Sequence, residues 1–295
     1  MKINNTEIID TFAEAFKMHG SRVIITAETD EWAMAAARSV TGFATSVIGC
    51  KCEAGIEQTL SASETPDARP GVSVLFFTMD TKSMGTRLVE RVGQCVMTCP
   101  TTACFNGLDS DNTVGVGSQL RYFGDGYQMS KKMADNRLWR IPVMDGEFLV
   151  DEDFGVTEAV GGGNLLLIGS NLEQTLEAAT AATKVMNELS DIILPFPNGV
   201  VRSGSKVGSK YKSLIASTND AYCPTLRSVT KQGALPEEAQ CVLEIVIDGI
   251  TEDAVKTAMQ SGMQAAAETN ILQISAGNYG GGLGQYKINL HDLVE

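Results

Sequence analysis

A single glutamate interrupts an otherwise apolar segment of the sequence, and a glutamate in such a place can act as an acid. In CVLEIVI (241–247), Glu244 shares a strand face with Val242 and Val246 by the two-residue period. A carboxyl group buried there favours its neutral form and can donate a hydrogen bond or a proton near neutral pH. The same pattern also fits a face that points to solvent, or a glutamate that pairs with a lysine. The residue types alone leave both interpretations open.

A basic segment, RSGSKVGSKYK (202–212), is the second place where the sequence could do chemistry. Its glycines and serines offer backbone N–H groups and hydroxyls, and its cations can form charge-assisted hydrogen bonds. The segment therefore suits an extended ligand that carries carboxylates or a phosphate. It also fits a solvated loop that pairs with nearby acids. The candidate binding residues are Arg202, Ser203, Ser205, Lys206 and Lys210.

Glycine-rich stretches elsewhere do not match nucleotide-binding loops. Gly199 and Gly204 have the separation of a P-loop, but Ser205 follows the second glycine where a lysine is needed. The stretch SAGNYGGGLG (275–284) precedes no helix, so it cannot place a pyrophosphate at a helix N-terminus. We therefore expect no nucleotide site in either loop.

The seven cysteines suggest neither a disulfide framework nor a zinc site. Cys50 with Cys52, and the group Cys95, Cys99 and Cys104, lack zinc-finger spacing, and we expect them to be small buried apolar side chains. A Cys–His nucleophile would need His19 or His291, and no motif positions either histidine. We therefore favour direct transfer between bound substrates over a covalent intermediate, with no bound metal. One alternative remains open, a hydrolase that uses Cys99 or Cys104 with His291.

Composition limits the class of partner. The 295 residues carry a formal net charge of −13, which opposes binding to the phosphate backbone of nucleic acid. No apolar stretch approaches the roughly 18 residues needed to cross a bilayer. The first residues lack the basic and apolar regions of a secretory signal. We expect a cytoplasmic protein that binds no nucleic acid and no membrane.

Four strand–helix–strand units recur along the chain. Each begins with a run of Val, Ile, Leu or Phe bounded by turn residues, and Thr251 before two acids marks the N-cap of the last helix. The units comprise strand 22–26, helix 30–40 and run 46–48; strand 72–78, helix 82–92 and run 95–97; strand 164–169, helix 172–189 and run 192–194; and strand 242–248, helix 252–269 and strand 271–277.

Two consecutive units in each half predict an α+β fold made of two ferredoxin-like (split βαβ) lobes that are related by an internal structural repeat. Between them, LRYFGDGYQM (120–129) and WRIPVMDGEFLV (139–150) each contain an Asp-Gly pair with strand-like flanks, which predicts inserted hairpins. We expect an N-terminal, distal lobe at residues 1–149 and a C-terminal, proximal lobe at residues 150–295.

Several longer segments resemble the formylmethanofuran:tetrahydromethanopterin formyltransferase family, and they run in order over essentially the whole chain. Residues 201–227 and WRIPVMDGEF (139–148) are most similar to the bacterial form, the formyltransferase subunit of the formyltransferase/hydrolase complex of methylotrophs. The matching segments are DTFAEAF (10–16), TGFATSVI (41–48), EAGIE (53–57), QCVMTCPTTA (94–103), GGGNLLLIG (161–169), PFPNGVVRSGSKVG (195–208), EIVIDG (244–249) and ISAGNYGG (274–281).

The resemblance implies transfer of a formyl group between formylmethanofuran and a ring nitrogen of tetrahydromethanopterin, both cosubstrates, without a permanently bound cofactor. It places the catalytic glutamate of the family at Glu244 and adds Asn278 and Tyr279 as substrate-binding residues. It also implies a homo-oligomer, a tetramer or a dimer, and other subunits of a complex as further partners. The bacterial form implies transfer from the pterin to methanofuran.

Three positions depart from the family pattern. Gly282 stands where the family commonly has a lysine, Asn198 where a glycine is frequent, and Ala68 where a glycine is usual. The missing lysine weakens the expectation that the 275–284 loop binds an acidic tail. It also leaves a second hypothesis for the function, a non-catalytic assembly subunit of a formyltransferase/hydrolase complex.

Overall fold

The chain forms two compact units in the computed structural model, which describes residues 1–133, 136–230 and 233–294. One unit comprises residues 18–159, and the other comprises residues 1–17 together with 160–295. Among the described residues, no helix is long and apolar enough to span a membrane. The division into lobes after residue 149 remains a prediction.

The described residues form eighteen strands: β1 Lys2–Ile3, β2 Thr6–Ile8, β3 Phe12–Thr26, β4 Glu53–Leu60, β5 Gly71–Thr78, β6 Ala103–Asn106, β7 Thr113–Gly115, β8 Met129–Met133, β9 Asn136–Val143, β10 Gly146–Asp151, β11 Asp153–Gly155, β12 Thr157–Gly169, β13 Ile192–Ile193, β14 Ser205–Val207, β15 Ala216–Thr218, β16 Cys241–Gly249, β17 Gln273–Ser275 and β18 Tyr286–Asn289. The α-helices are α1 Asp30–Thr41, α2 Val47–Cys50, α3 Thr81–Arg91, α4 Gly117–Leu120, α5 Leu172–Met186 and α6 Glu252–Ala267. A π-helix covers Val92–Val96, and 3₁₀ turns cover Ala62–Glu64, Arg121–Gly124, Pro197–Gly199, Asp220–Tyr222, Pro224–Leu226 and His291–Leu293.

The unit of residues 18–159 contains the β-α-β-β-α-β order of a ferredoxin-like fold. Its four strands lie in the order β4–β5–β3–β6, all antiparallel. Helices α1 and α3 pack on this sheet through buried small and apolar side chains such as Ala33, Ala37, Met84 and Leu88. Beyond β6, β10 adds a parallel strand, followed by β9 and β8.

The unit of residues 1–17 and 160–295 repeats that arrangement. Its strands lie in the order β13–β16–β12–β17, the same positional order as in the other unit. Helices α5 and α6 cover the sheet, and Gly262 lets them lie close, because a Cβ there would overlap the Met186 Cε. Two ferredoxin-like halves are therefore confirmed, as predicted from the four repeated units.

Most predicted elements are present. All four first strands and all four helices occur, and the Thr251 hydroxyl caps α6 by accepting from the Ala254 N–H at 3.1 Å. The closing strands of the third and fourth units occur at Ile192–Ile193 and Gln273–Ser275.

The closing strands of the first two units were predicted wrongly. Residues 46–48 begin the short helix α2, which Ser46 caps, and the strand lies later at Glu53–Leu60. Residues 95–97 continue α3 through the π-helix Val92–Val96, and the strand is Ala103–Asn106. The true strand β4 carries buried polar residues such as Glu57, so its pattern was not apolar.

One of the two predicted hairpins exists. β9 and β10 pair around Met144 and Asp145, with Val143 opposite Gly146. The other Asp-Gly pair makes a turn, with Asp125 at φ 49° and Gly126 at φ +92°, but a 3₁₀ turn precedes it instead of a strand. The first hairpin prediction was therefore wrong, because turn residues alone do not supply a pairing strand.

Candidate functional site

Glu244 lies in the middle of an interior strand. It pairs with Leu166 of β12 on one side, and on the other its N–H and C=O bond to Val201 at 2.9 and 2.7 Å. Leu243 and Ile245, which point to the opposite face, are buried in the core. Alternation along β16 thus presents the Glu244 carboxyl on the face opposite the helices.

The Glu244 carboxyl is partly buried, and burial raises its pKa to about 7. Burial removes water that stabilises the charged carboxylate more than the neutral acid. The buried group therefore holds its proton more tightly. At neutral pH a large share of Glu244 is therefore protonated. Such a group can donate a hydrogen bond to a developing oxyanion or deliver a proton to a leaving nitrogen.

Tyr279 is the predicted site residue that the structure couples to Glu244 electrostatically. Burial raises the pKa of Tyr279, and the charges of Glu244 and Glu14 raise this pKa further. Its ring also contacts the Phe16 ring, with centroids 6.0 Å apart at 49°. The structure therefore groups Glu244, Tyr279 and Glu14 within one unit of the chain.

The side chain of Asn278, the neighbouring predicted site residue, forms hydrogen bonds with other residues of the protein. Its Nδ2 donates to the Thr11 Oγ1 at 3.1 Å and to the Phe12 carbonyl at 3.2 Å. Its Oδ1 accepts from the Gly280 N–H at 3.2 Å. These contacts hold the loop of residues 278–284, called the glycine loop below, against the start of β3.

The basic segment forms a small hairpin of its own. Strands β14 and β15 pair from Ser205 opposite Thr218 to Val207 opposite Ala216. Lys206 forms an ion pair with Asp220, as expected of a loop that pairs with nearby acids. The segment begins next to Glu244, because it directly follows Val201, which forms hydrogen bonds with the Glu244 main chain. The predicted binding residues Arg202, Ser203, Ser205, Lys206 and Lys210 are all exposed.

Glu14 is a site residue that the sequence did not suggest. It lies on β3 with 1% of its surface exposed, between the buried Ala13 and Ala15. Burial by itself would raise its pKa, but hydrogen bonds from the backbone N–H groups of the glycine loop lower the pKa to about 2. Its partners lie more than 260 residues away, and only the alternation of Glu14 with small apolar residues could have drawn attention to it.

Cys99 and Cys104, the candidate nucleophiles, lack the environment of a reactive thiol. In the part of the chain that the structure describes, no group of three or more His, Cys, Asp or Glu side chains could hold a metal. Burial raises the pKa of Cys99 and, more strongly, of Cys104, the opposite of what a thiolate nucleophile needs. His291 contacts the Ile8 carbonyl at 2.9 Å and Asp10 at 3.6 Å. Cys52 and Cys104 are buried as predicted, whereas Cys50, Cys95 and Cys99 are only partly buried.

Two cavities of about 770 and 760 Å³ lie in the unit of residues 18–159. The first is lined by residues of α3, β7 and α4, and the second by the π-helix region and the β9–β10 turn. Cys99, a candidate nucleophile of the hydrolase alternative, lines the second cavity, but neither Glu244 nor any of the predicted substrate-binding residues lines either one. They therefore add no substrate pocket to the Glu244 region.

The sequence matches two family models that together cover nearly all of the chain. "Formylmethanofuran-tetrahydromethanopterin formyltransferase" matches residues 1–143, and "FTR, proximal lobe" matches residues 146–293. A formylmethanofuran–tetrahydromethanopterin formyltransferase of Methylobacillus flagellatus is 53% identical over the full length of both chains. One subunit of the formyltransferase/hydrolase complex of Methylorubrum extorquens is 49% identical, with 99% of this chain and 97% of that one covered.

Solved structures agree with this match. The formyltransferase/hydrolase complex of Methylorubrum extorquens with methylofuran contains a chain that superposes with a TM-score of 0.97 at 48% identity, over 100% of this chain and 99% of that one. The formyltransferase of Methanosarcina barkeri superposes with a TM-score of 0.94 at 46% identity, over 99% and 100% of the two chains. The chain therefore belongs to the formylmethanofuran–tetrahydromethanopterin formyltransferase family.

Proposed function

We propose that this chain transfers a formyl group between formylmethanofuran and a ring nitrogen of tetrahydromethanopterin, by direct acyl transfer with Glu244 as the acid. The observation that carries the proposal is the partly buried Glu244 carboxyl, whose pKa burial raises to about 7, in a chain that matches the family along its length. Such a carboxyl can supply the proton and the hydrogen bond to the oxyanion that acyl transfer between two nitrogens requires.

The reaction needs one proton donor and one oxyanion partner. The lone pair of the accepting nitrogen attacks the formyl carbon, and the carbonyl π electrons move to oxygen to give a tetrahedral oxyanion. Protonated Glu244 donates a hydrogen bond to that oxygen or its proton to the departing nitrogen. The C–N bond then breaks, the carbonyl re-forms, and the proton lost by the attacking nitrogen restores the acid. The steps apply equally in both directions, and transfer from the pterin to methanofuran remains our expectation for the bacterial form.

The predicted binding residues fit the acidic parts of both cosubstrates. Arg202, Ser203, Ser205, Lys206 and Lys210 form an exposed cationic and hydroxylic segment on a chain of net charge −13. Their cations and hydroxyls suit carboxylates or a phosphate, and Lys206 would have to exchange its pairing with Asp220 for such a ligand. Tyr279 completes the site beside Glu244, while Asn278 acts through the glycine loop that it holds.

We further propose that the protein binds no permanent cofactor and works as an assembly. Acid catalysis by Glu244 accounts for the proton transfers without an added group. Exposed apolar side chains such as Phe43 at 81% and Tyr127 at 79% exposure are available to contact other chains. A homo-oligomer, dimer or tetramer, is the first expectation, and association with further subunits is the second. Light scattering of the purified chain distinguishes a monomer from these assemblies.

The experiment is a spectroscopic assay of the purified, folded chain with formylmethanofuran and tetrahydromethanopterin, without added metal or nucleotide. Glu244→Gln keeps the shape of the side chain but cannot deliver the proton, and we expect kcat to fall by roughly 10²–10⁴-fold. Glu244→Ala also removes the hydrogen bond to the oxyanion and should be slower still. Near-normal turnover by Glu244→Gln would rule out proton transfer by this residue. Absence of transfer by the wild type would instead favour the assembly-subunit hypothesis.

A further inference from the structure

Glu14 is a buried carboxylate that closes the glycine loop around itself. One oxygen accepts from the N–H groups of Tyr279 at 2.6 Å and Gly281 at 2.8 Å. The other accepts from the N–H groups of Leu283 and Gly284, both at 2.6 Å. Four backbone donors of one loop thus converge on a single side chain that has only 1% of its surface exposed.

The fit of the loop around the carboxylate is tight. A Cβ at Gly284 would lie 2.5 Å from the Ala15 carbonyl and 2.7 Å from the Glu14 Cγ. Gly281 adopts φ +72°, a conformation that residues with a Cβ rarely adopt. Both glycines are therefore needed for the backbone to approach the carboxylate and direct its N–H groups inward.

A neutral side chain of the same shape could not accept all four bonds. An ionised carboxylate has two acceptor oxygens with about four lone-pair positions, whereas a glutamine has one acceptor oxygen and an NH₂ donor. In Glu14→Gln, the amide would face two backbone N–H groups with a donor. The loop would lose two of its four anchors and gain a repulsive contact.

The loop that Glu14 holds carries Tyr279 to the candidate acid. Tyr279 provides the first of the four N–H groups. The loop follows β17, whose Ser275 pairs with Leu166, and Leu166 pairs on its other side with Glu244. The charge of Glu244 raises the pKa of Tyr279. Glu14 does not contribute to the raised pKa of Glu244, which burial causes. The charge of Glu14 raises the pKa of Tyr279, and its hydrogen bonds fix the geometry of the loop that carries Tyr279. Both effects reach the reaction through Tyr279.

We propose that Glu14 is a positioning residue of the formyltransferase site, which fixes the glycine loop so that Tyr279 faces Glu244 and the transferred group. The expected effect of Glu14 on the kinetics rests on the proposed function, whereas its expected effect on the structure of the loop does not. The structural consequence, protection of four loop amides, can be measured without any substrate.

The test compares four variants of the full chain: Glu14→Gln, Tyr279→Ala, the double variant and Glu57→Gln as control. Glu57 is a buried carboxylate of the unit of residues 18–159, 6% exposed, that binds Arg22 at 2.7 Å and Ser73 at 2.6 Å. Its substitution also removes hydrogen bonds of a buried carboxylate, but it does not touch the glycine loop. Hydrogen exchange of the loop amides and kcat and KM for both cosubstrates are measured at a temperature where each variant is folded by circular dichroism.

We expect the amides of residues 279–284 to exchange fast in Glu14→Gln and slowly in Glu57→Gln. We also expect kcat/KM to fall by about 10- to 100-fold in Glu14→Gln but not in Glu57→Gln. Because Glu14 acts through Tyr279, the double variant should be no more than about threefold slower than Tyr279→Ala. Full activity of folded Glu14→Gln, an equal loss in Glu57→Gln, or multiplying losses in the double variant would each overturn the proposal. If Glu14→Gln does not fold, Glu14→Asp takes its place, since it keeps the charge but shortens the reach. If the wild type transfers no formyl group, the proposed function is refuted. The hydrogen-exchange comparison would still test whether Glu14 holds the glycine loop.

Discussion

Replacing Glu14 by glutamine should remove a pH-dependent part of the stability of the protein. The four N–H bonds lower the pKa of Glu14 from 4.5 to about 2 in the folded chain. At 1.36 kcal/mol for each pKa unit, this shift of about 2.5 pKa units stabilises the folded state at pH 7 by up to about 3.4 kcal/mol. The stabilisation is fully present above the unfolded-state pKa and is lost as the pH falls through the folded-state value.

The stabilisation by Glu14 is smaller at lower pH. Between pH 7 and pH 3, the difference in free energy of unfolding between the wild type and Glu14→Gln should shrink by about 2 kcal/mol, because the unfolded state then binds the proton more readily. Other carboxylates titrate in the same range, but they are common to both proteins and cancel in the difference.

The assay is urea denaturation of both proteins at 25 °C and several pH values, followed by circular dichroism. Glu14→Gln should be less stable at pH 7 and approach the wild type as the pH falls to 3. A difference that stays constant over this range would refute the reasoning, since it would show that the lost packing or amide geometry, and not the carboxylate charge, stabilises the loop. Glu57→Gln again serves as a control for the general effect of losing a buried carboxylate.

Three further predictions concern single positions. Turnover should fall as the pH rises through about 7, because the reaction uses protonated Glu244, and the pH–rate profile of Glu244→Gln should lack this limb. Gly262→Ala should lower the free energy of unfolding by roughly 1–3 kcal/mol, measured by urea denaturation, since its Cβ would overlap the Met186 Cε. Gly282→Ala should instead be neutral or stabilising by up to about 1 kcal/mol, because Gly282 has φ outside the left-handed region and a Cβ there would meet no atom within 4 Å. An unchanged pH profile, a stable Gly262→Ala or an unstable Gly282→Ala would contradict the respective argument.

The fold was largely predictable because its signals are local and repeated. Each first strand carries a run of apolar residues, and each long helix begins at a capping side chain, Thr29, Asp80, Asn171 or Thr251. Where the signal was not local, the prediction failed. Strand β4 includes Glu53 and Glu57, both buried, whose partners Val47 and Arg22 lie on other elements. A pattern of residue types cannot show that such charges are satisfied.

The site was predictable to a lesser degree, and the two glutamates show why. Glu244 and Glu14 both interrupt strands of small or apolar residues, so they share one pattern in the sequence. Burial raises the pKa of Glu244 to about 7, whereas four backbone donors from a distant loop lower that of Glu14 to about 2. Burial alone therefore does not decide whether a carboxyl holds its proton, because the hydrogen bonds that reach it can reverse the outcome.

Glu244 consequently titrates in the range where formyl transfer needs an acid. Glu14 stays ionised far below neutral pH, as a permanent acceptor for the glycine loop must. This division of roles depends on contacts across more than 260 residues, and it becomes visible only when the chain is folded.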